Sequence, residues 1–169
     1  SSRLSMATKQ QFQPPSTEFL KKLGYRFSRM LLSHDNMMPE NYMWRGVVIN
    51  ALEDTMIERV DRKSAVLKGA AHNWIMSACS DFDQVCNWAM LDPDDVRAAY
   101  KKAILKNKIR FKQSQVKWKK YSLLLKKWQK ACSVSQKSSL KKQLKLSRKE
   151  AVLGSNCYVT VALVSVIVS

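Results

Sequence analysis

The distribution of charge constrains this chain more than any other feature of its sequence. Residues 101–150 hold eighteen lysines and arginines against one acidic residue, Glu150, so this segment carries a net charge of +17. Residues 1–40 carry +3, residues 41–100 carry −3, and the last nineteen residues carry none. Such asymmetry is typical of a folded unit with an extension that binds a polyanion. The sequence therefore predicts a mildly acidic body followed by a basic arm.

The body shows helical periodicity. Its apolar residues recur at steps of three and four, as on one face of an amphipathic helix. The pattern predicts five helices, which start near Ser16, Tyr42, Ser64, Ser80 and Asp92. Capping side chains and the acidic first turn after Pro93 support these starts. We therefore expect an all-α domain over residues 16–105, preceded by a disordered lead-in over residues 1–15.

The basic arm allows two interpretations. A seven-residue recurrence of Ile104, Phe111, Trp118 and Leu125 favours a long helix with one aromatic stripe, so we assign residues 106–132 to a basic helical arm. Strict alternation over 108–112 and 116–119 leaves a strand hairpin open. Residues 133–169 are expected to form a flexible basic tail with nascent helix. Its apolar end, 158–168, is shorter than the about twenty residues that cross a bilayer, and is a candidate for a strand that pairs with a partner or for an aggregation-prone tail.

Residues 82–101 have the spacing of a helix-turn-helix unit, with apolar residues on two inner faces and a small residue, Cys86, at the crossing. Met90 stands in the turn, where such units usually have glycine. The second helix begins with Asp92, Asp94 and Asp95, which would repel phosphates and leave Arg97 as the only nearby base-reading candidate. A helical hairpin that positions the basic arm is therefore the favoured interpretation.

The stretch 44–100 resembles small uncharacterised proteins of tailed bacteriophages and prophages. The residues that carry the resemblance are Trp44, Ala51-Leu52-Glu53-Asp54, Ala71-His72-Asn73-Trp74-Ile75, Asp81-Phe82, Val85-Cys86, Ala89, Leu91-Asp92-Pro93 and Val96-Arg97. Met90 departs from the family pattern, which has glycine there. The resemblance implies a phage origin and a compact helical domain. It supplies no mechanism, and it covers neither the N-terminal helix nor the basic arm.

Cations alternate with aromatic residues in the basic arm, which predicts binding to DNA or RNA. Lysines and arginines neutralise phosphates, and aromatic rings stack on unpaired bases. For Phe111 and Trp118, packing against the domain is the competing interpretation. Lysines outnumber arginines sixteen to two, which favours backbone contacts without sequence choice. The candidate nucleic-acid-binding residues are Arg97, Lys101, Lys102, Lys106, Lys108, Arg110, Lys112, Lys117, Lys119, Lys120, Lys126, Lys127, Trp128 and Lys130.

Catalytic chemistry is not indicated. Neither histidine, His34 nor His72, stands in a recognisable setting with a nucleophile and an acid. The cysteines lack metal-ligand spacing, and the acidic groups resemble solvated helix starts. We therefore expect no enzyme, metal or cofactor, and, since the lysines of 117–130 are widely spread, no membrane binding. The expected location is the cytoplasm of a bacterial host. The alternative is a protein-interaction module or minor virion component that uses the acidic helical body. Besides DNA or RNA, the candidate partners are an acidic protein or a host protein.

Overall fold

The computed structural model describes residues 15–33, 36–77 and 80–159. The described residues are mostly helical and contain one two-stranded antiparallel sheet, which confirms the all-α class. The elements are α1 (Thr17–Leu23), α2 (Tyr25–Leu32), α3 (Pro39–Asp54), α4 (Arg62–Met76), α5 (Ser80–Trp88), α6 (Pro93–Leu105), β1 (Phe111–Lys112), α7 (Gln113–Lys130), α8 (Val134–Val152) and β2 (Tyr158–Val159). Most of the expected lead-in, 1–14, lies outside the described residues.

The first predicted helix is two helices, because Gly24 interrupts it. Ser16 caps α1 as expected, and its hydroxyl accepts the Phe19 N–H at 3.2 Å. Gly24 has φ +87°, a left-handed value that suits glycine. Its N–H bonds to the Leu20 carbonyl and its carbonyl accepts the Ser28 N–H. Gly24 therefore ends α1 and starts α2 in a single residue.

Helix α4 begins earlier than the sequence suggested. The Asp61 carboxylate accepts the Ser64 N–H at 3.0 Å, so Asp61 supplies the cap that we expected from Ser64. The α3 pattern also ends at Asp54 rather than Val60. Both differences arise at the polar break between the helices, where several side chains compete to cap the chain.

The predicted helix–turn–helix spacing corresponds to α5, a tight turn and α6. The Leu91 N–H bonds to the Cys86 carbonyl at 2.8 Å and the Met90 N–H to the Asn87 carbonyl at 3.1 Å, the two bonds of a Schellman turn. Met90 has φ +57°, the conformation for which glycine is preferred. The turn is therefore built with a strained residue at its left-handed position.

Neither expectation for the segment 106–132 is correct over its full length, since residues 106–112 precede the arm's helix, and residues 116–119, the second strand of the hairpin alternative, are helical. Helix α6 ends at Leu105, and residues 106–110 lead into β1, which is followed by the 18-residue α7. Strand β1 pairs with β2, with Phe111 opposite Val159. The apolar C-terminal segment thus begins with a strand paired within the chain. Its remaining residues, 160–168, lie outside the described part.

The segment 133–169, which we expected to be a flexible tail, contains a packed helix. Residues Val134–Val152 form the 19-residue helix α8, capped by Ser133, and α8 packs on α7. Its buried and half-buried positions, Leu140, Leu144, Ser147 and Ala151, follow steps of four, three and four. The stripe has few apolar residues among many lysines and serines, so the composition did not indicate a packed helix.

The described chain divides into two compact units by its internal contacts. Unit 1 comprises residues up to Asp54 together with Trp74–Ile109, and unit 2 comprises Thr55–Asn73 together with residues from Arg110 onward. The predicted boundaries, by contrast, follow the chain linearly. Across the whole sequence, unit 2 holds eighteen of the thirty basic residues and three acids, a net +15, which leaves +2 for unit 1. The charge asymmetry is therefore an asymmetry between two units.

Candidate nucleic-acid interface

The fourteen predicted binding residues are divided between the two units. Arg97, Lys101, Lys102, Lys106 and Lys108 belong to unit 1, and the other nine belong to unit 2. Most are solvent-exposed, as phosphate contact requires. The exposed members are Lys101, Lys102, Lys106, Lys108, Arg110, Lys120, Lys126, Lys127 and Lys130, while Lys117 and Trp128 are half-buried. The structure does not present the remaining three, Arg97, Lys112 and Lys119, as open cationic groups.

Arg97 is held inside unit 1. Its Nε donates to the Ile75 carbonyl at 2.8 Å, and its Nη2 donates to the Ser77 carbonyl at 3.1 Å and to Asp83 at 2.7 Å. The guanidinium also lies over the Phe82 ring at 4.8 Å, and the side chain is 15% exposed. These bonds join the end of α4 to α5 and α6. Arg97 is therefore a structural residue here rather than a base-reading one.

Lys119 is 4% exposed and covers Gly69 of α4 with its methylene chain. A Cβ added at Gly69 would lie 2.6 Å from the Lys119 Cγ, so glycine permits the close approach of α4 and α7. Burial, and secondarily Lys126, lower the pKa of the Lys119 ammonium. The expected phosphate contact thus falls on a side chain that packs a helix crossing.

Lys112 forms a hydrogen bond and an ion pair with the loop that precedes α4. Its Nζ donates to the Glu58 carbonyl at 3.0 Å and lies 3.6 Å from the Glu58 carboxylate. Tyr158 of β2 donates to the same carboxylate at 3.0 Å. The charge of Lys112 is therefore largely satisfied within unit 2.

The aromatic residues of the arm differ in exposure. Phe111 is buried, with the His72 ring at its edge and the Lys68 ammonium over its face. Tyr121 is buried beneath the Arg62 guanidinium. Trp118 is half-buried and meets Tyr121 edge to face at 5.7 Å. Packing thus accounts for Phe111 and Tyr121. Trp128 is half-buried on the outer part of α7.

A buried polar cluster positions β1 and α7, and sequence reasoning missed it. The Lys68 ammonium donates to the Ile57 carbonyl at 2.7 Å, to the Arg110 carbonyl and to Gln115 Oε1 at 3.1 Å. Gln115 Oε1 also accepts the Lys112 N–H, and its Nε2 donates to the carbonyls of residues 57 and 59. A signal existed in the sequence: Lys68 lies three residues from Ala65 and from Ala71, on the apolar face of α4.

Unit 1 contains a matching cation that was also missed, Arg45 of α3. Its guanidinium donates to the carbonyls of Leu31 and Ser33 at the end of α2, and to those of Ala89 and Met90 after α5. Burial lowers the pKa of Arg45. A cation at two helix C-termini is favoured by the dipoles of both helices. Its position three residues before buried Val48 was the available signal.

Helix α8 carries a one-sided set of exposed cations, which we call the α8 cationic face: Lys137, Lys141, Lys142, Lys145, Arg148 and Lys149. At 3.6 residues per turn, these six residues fall within a sector of about 140° beside the buried stripe. The opposite flank carries Gln136, Gln143 and Glu150. None of these six residues is among the predicted binding residues, because the segment was expected to be a flexible tail without a fixed orientation of its side chains.

Chemistry other than charge is sparse in the described ranges. Burial raises the pKa of the Cys86 thiol to about 12, which keeps it protonated and unreactive at neutral pH. The described residues contain no group of three potential metal ligands. They also contain no helix that is both long and apolar enough to span a bilayer.

Comparisons with known proteins give no match to a family model, a curated protein or a solved structure. The resemblance to phage proteins thus stays a prediction, and function is inferred from the geometry alone.

Proposed function

We propose that this protein binds nucleic acid through backbone phosphates, without sequence choice, and that unit 2 provides the contact surface. The observation that carries the proposal is the α8 cationic face. Six cations share one side of a helix that is packed in place through Leu144 and Ala151. A fixed row of cations meets phosphates at a smaller entropic cost than a disordered tail.

Unit 2 contains more cations than its internal contacts engage. Lys68, Lys112 and Lys119 have internal contacts, while the cations of the α8 cationic face form no ion pair within the described residues. Uncompensated like charges destabilise a compact unit by self-repulsion, and a polyanion relieves that repulsion. Five of the six are lysines, which act as point charges and favour phosphates over base edges.

Because of Trp128, we also expect the protein to prefer unpaired strands. It is half-buried near the end of α7, and Lys137 lies over its ring at 5.5 Å. Movement of the Lys137 side chain opens a ring face beside a cation, the combination on which single-stranded bases stack.

The test compares two triple variants with equal charge loss. Lys137→Gln, Lys141→Gln and Arg148→Gln remove three cations of the α8 cationic face, and Lys21→Gln, Arg29→Gln and Lys101→Gln remove three exposed cations of unit 1. For duplex DNA, the first variant should flatten the slope of log K against log salt by about 2–3, since each lost phosphate contact removes about 0.9. The second should leave the slope within about 0.5 of the unmodified protein. Equal effects of both variants, or a flat slope in the unmodified protein, would contradict the proposal.

Deletion of residues 101–150 is not an equivalent test. It removes Ala103, Ile104 and Ile109 from the core of unit 1 along with the cations. Surface substitutions separate loss of charge from loss of folding, which far-ultraviolet circular dichroism of both triple variants checks.

The contribution of Trp128 is tested with single strands. Trp128→Ala should weaken single-stranded binding by about 1–3 kcal/mol, the value of one stacked base, and duplex binding by less. Trp128→Phe retains a ring face and serves as the control. An equal loss on duplex and single strand would remove stacking from the proposal.

A further inference from the structure

Unit 1 contains a concave cationic surface of its own, which is separate from the α8 cationic face of unit 2. A cleft of about 420 Å³ lies between the α1–α2 junction and the C-terminal end of α6. Five cations line it: Lys22, Arg26, Lys102, Lys106 and Lys108. They come from two segments separated by more than seventy residues, so only the fold brings them together. We call this surface the unit 1 cleft.

The five cations have no local compensation. None forms an ion pair within the described ranges, and none of the residues lining the cleft is acidic. Lysines at the end of a helix also favour its dipole, which accounts for Lys102 and Lys106 taken alone. That effect does not account for Lys22 and Arg26, which come from the other wall. Convergence of both sets on one concavity favours a bound anion with several charges.

The walls of the cleft also offer an apolar surface. Leu23, Phe27, Ala99 and Ala103 contribute to its lining, and Tyr25 stands at its edge with 77% of its surface exposed. The Tyr25 hydroxyl accepts a hydrogen bond from Arg29 at 3.4 Å. A volume of this size lies within the range of about 300–1,000 Å³ of small-ligand sites. This lining suits a ligand that combines several negative charges with an apolar part.

We propose that the unit 1 cleft binds a nucleotide, with its phosphates among the five cations and its base against Tyr25. Lysine ammonium groups bind phosphate as point charges, and an aromatic ring accepts any base by stacking. Helix α2 begins at Gly24, which lines the cleft and provides no side-chain cap, and the start of a helix favours anions. A free nucleotide and the phosphorylated end of a strand present the same chemistry to the cleft.

The test is a calorimetric titration of the full chain with ATP, for Lys22→Ala/Lys102→Ala and for its control Lys21→Ala/Lys101→Ala. The two pairs remove equal charge at adjacent positions of the same helices, but only the first pair lines the cleft. The first should weaken ATP binding by about tenfold or more, and the control by less than about twofold, because only the first pair removes charged groups that can bind phosphate in the cleft. Equal weakening by both pairs, or no binding by the unmodified protein of either ATP or a 5′-phosphorylated strand, would overturn the proposal.

Additional ligands identify what the cleft recognises. Tripolyphosphate should bind more weakly than ATP, and Tyr25→Ala should reduce this difference; tripolyphosphate binding as tight as that of ATP would overturn the assignment of a nucleotide. Oligonucleotides with a 5′-phosphate or a 5′-hydroxyl distinguish the two sources. Selective loss of the 5′-phosphorylated strand in Lys22→Ala/Lys102→Ala, without ATP binding by the unmodified protein, assigns the cleft to strand ends. The α8 triple variant should retain ATP binding, which separates this site from the surface of unit 2.

Discussion

Units 1 and 2 bury different types of cation. Unit 1 turns two arginines inward, and the forks of Arg45 and Arg97 bond carbonyl groups at the ends of helices. Unit 2 turns one lysine, Lys68, fully inward and most of its others outward. A guanidinium serves several carbonyls at once because its five donors are fixed in a plane, whereas an ammonium is easily hydrated. The cations that bond several buried carbonyl groups are thus arginines in unit 1 and a lysine in unit 2.

The comparison shows that net charge alone is a poor guide to binding residues. Unit 1 is close to neutral, yet it carries the unit 1 cleft, and unit 2 is strongly basic, yet Lys68 and Lys119 are buried. Exposure and shared direction, rather than number, decide which cations can meet a polyanion.

Replacement of the buried cation in each unit should have the largest effect. Arg45→Met leaves the carbonyls of Leu31, Ser33, Ala89 and Met90 without their donor, and should lower the free energy of unfolding by about 3–5 kcal/mol. Lys68→Met should destabilise unit 2 by a similar amount. Urea unfolding gives the magnitude, and residue-resolved hydrogen exchange shows which unit loosens. The exposed control Arg29→Met should change stability by less than about 0.5 kcal/mol.

Arg97 gives an intermediate effect that tests the division between structural and surface cations. Arg97→Ala should destabilise unit 1 by about 2 kcal/mol, because the carbonyls of Ile75 and Ser77 and the Asp83 carboxylate lose their donor. Nucleic-acid affinity of the folded protein should stay unchanged for all sequences. A loss of about 1–3 kcal/mol confined to one DNA sequence would instead identify Arg97 as a base-reading residue.

The left-handed turn residues predict a smaller change of opposite sign. Met90→Gly removes a conformational cost of about 1–2 kcal/mol, part of which is offset by the greater freedom of glycine in the unfolded chain. We expect a net gain of about 0.5–1 kcal/mol in thermal or urea unfolding. Asn107→Gly, at φ +59°, is the matched substitution in the second turn, and should gain less because asparagine tolerates this conformation. A loss of stability in Met90→Gly would show that the Met90 side chain contributes packing.

The smallest expected effect is a difference in acid response between the units. Hydrogen bonds from the Ser64 backbone and side chain lower the pKa of Asp61, so its stabilising cap is present above the ordinary aspartate pKa and is lost as pH falls through the lowered value. Burial raises the pKa of Asp54 in unit 1, so its contribution is favourable in acid and is lost as pH rises through the raised value. Carboxyl chemical shifts followed by NMR from about pH 6 to pH 2 check both directions around the ordinary value of about 3.9. Identical pKa values for the two groups would remove this contrast.

Local patterns predicted the helical class, the capping by Ser16, the start of a helix at Pro93 and the α5–turn–α6 region. They did not predict the division into units, because residues 55–73 and 110–159 come together only through long-range contacts. Helix α8 was missed since its apolar stripe has two fully buried residues, Leu144 and Ala151, among many lysines. Arg45, Lys68 and Arg97 bond backbone carbonyl groups, and the sequence does not show which carbonyl groups the fold brings close to these side chains. Nucleic-acid binding itself stays a prediction.

The interleaving of the units along the chain has a consequence for their synthesis. Lys68 leaves the ribosome 47 residues ahead of Gln115, its hydrogen-bond partner. At about 5–20 residues per second, this interval lasts roughly 2–9 s. All residues of unit 1 have been made once Ile109 is added, whereas the first segment of unit 2 must wait for a later one. We therefore expect the nearly neutral unit to mature first, and the basic one only after its second segment, from Arg110 onward, has been made.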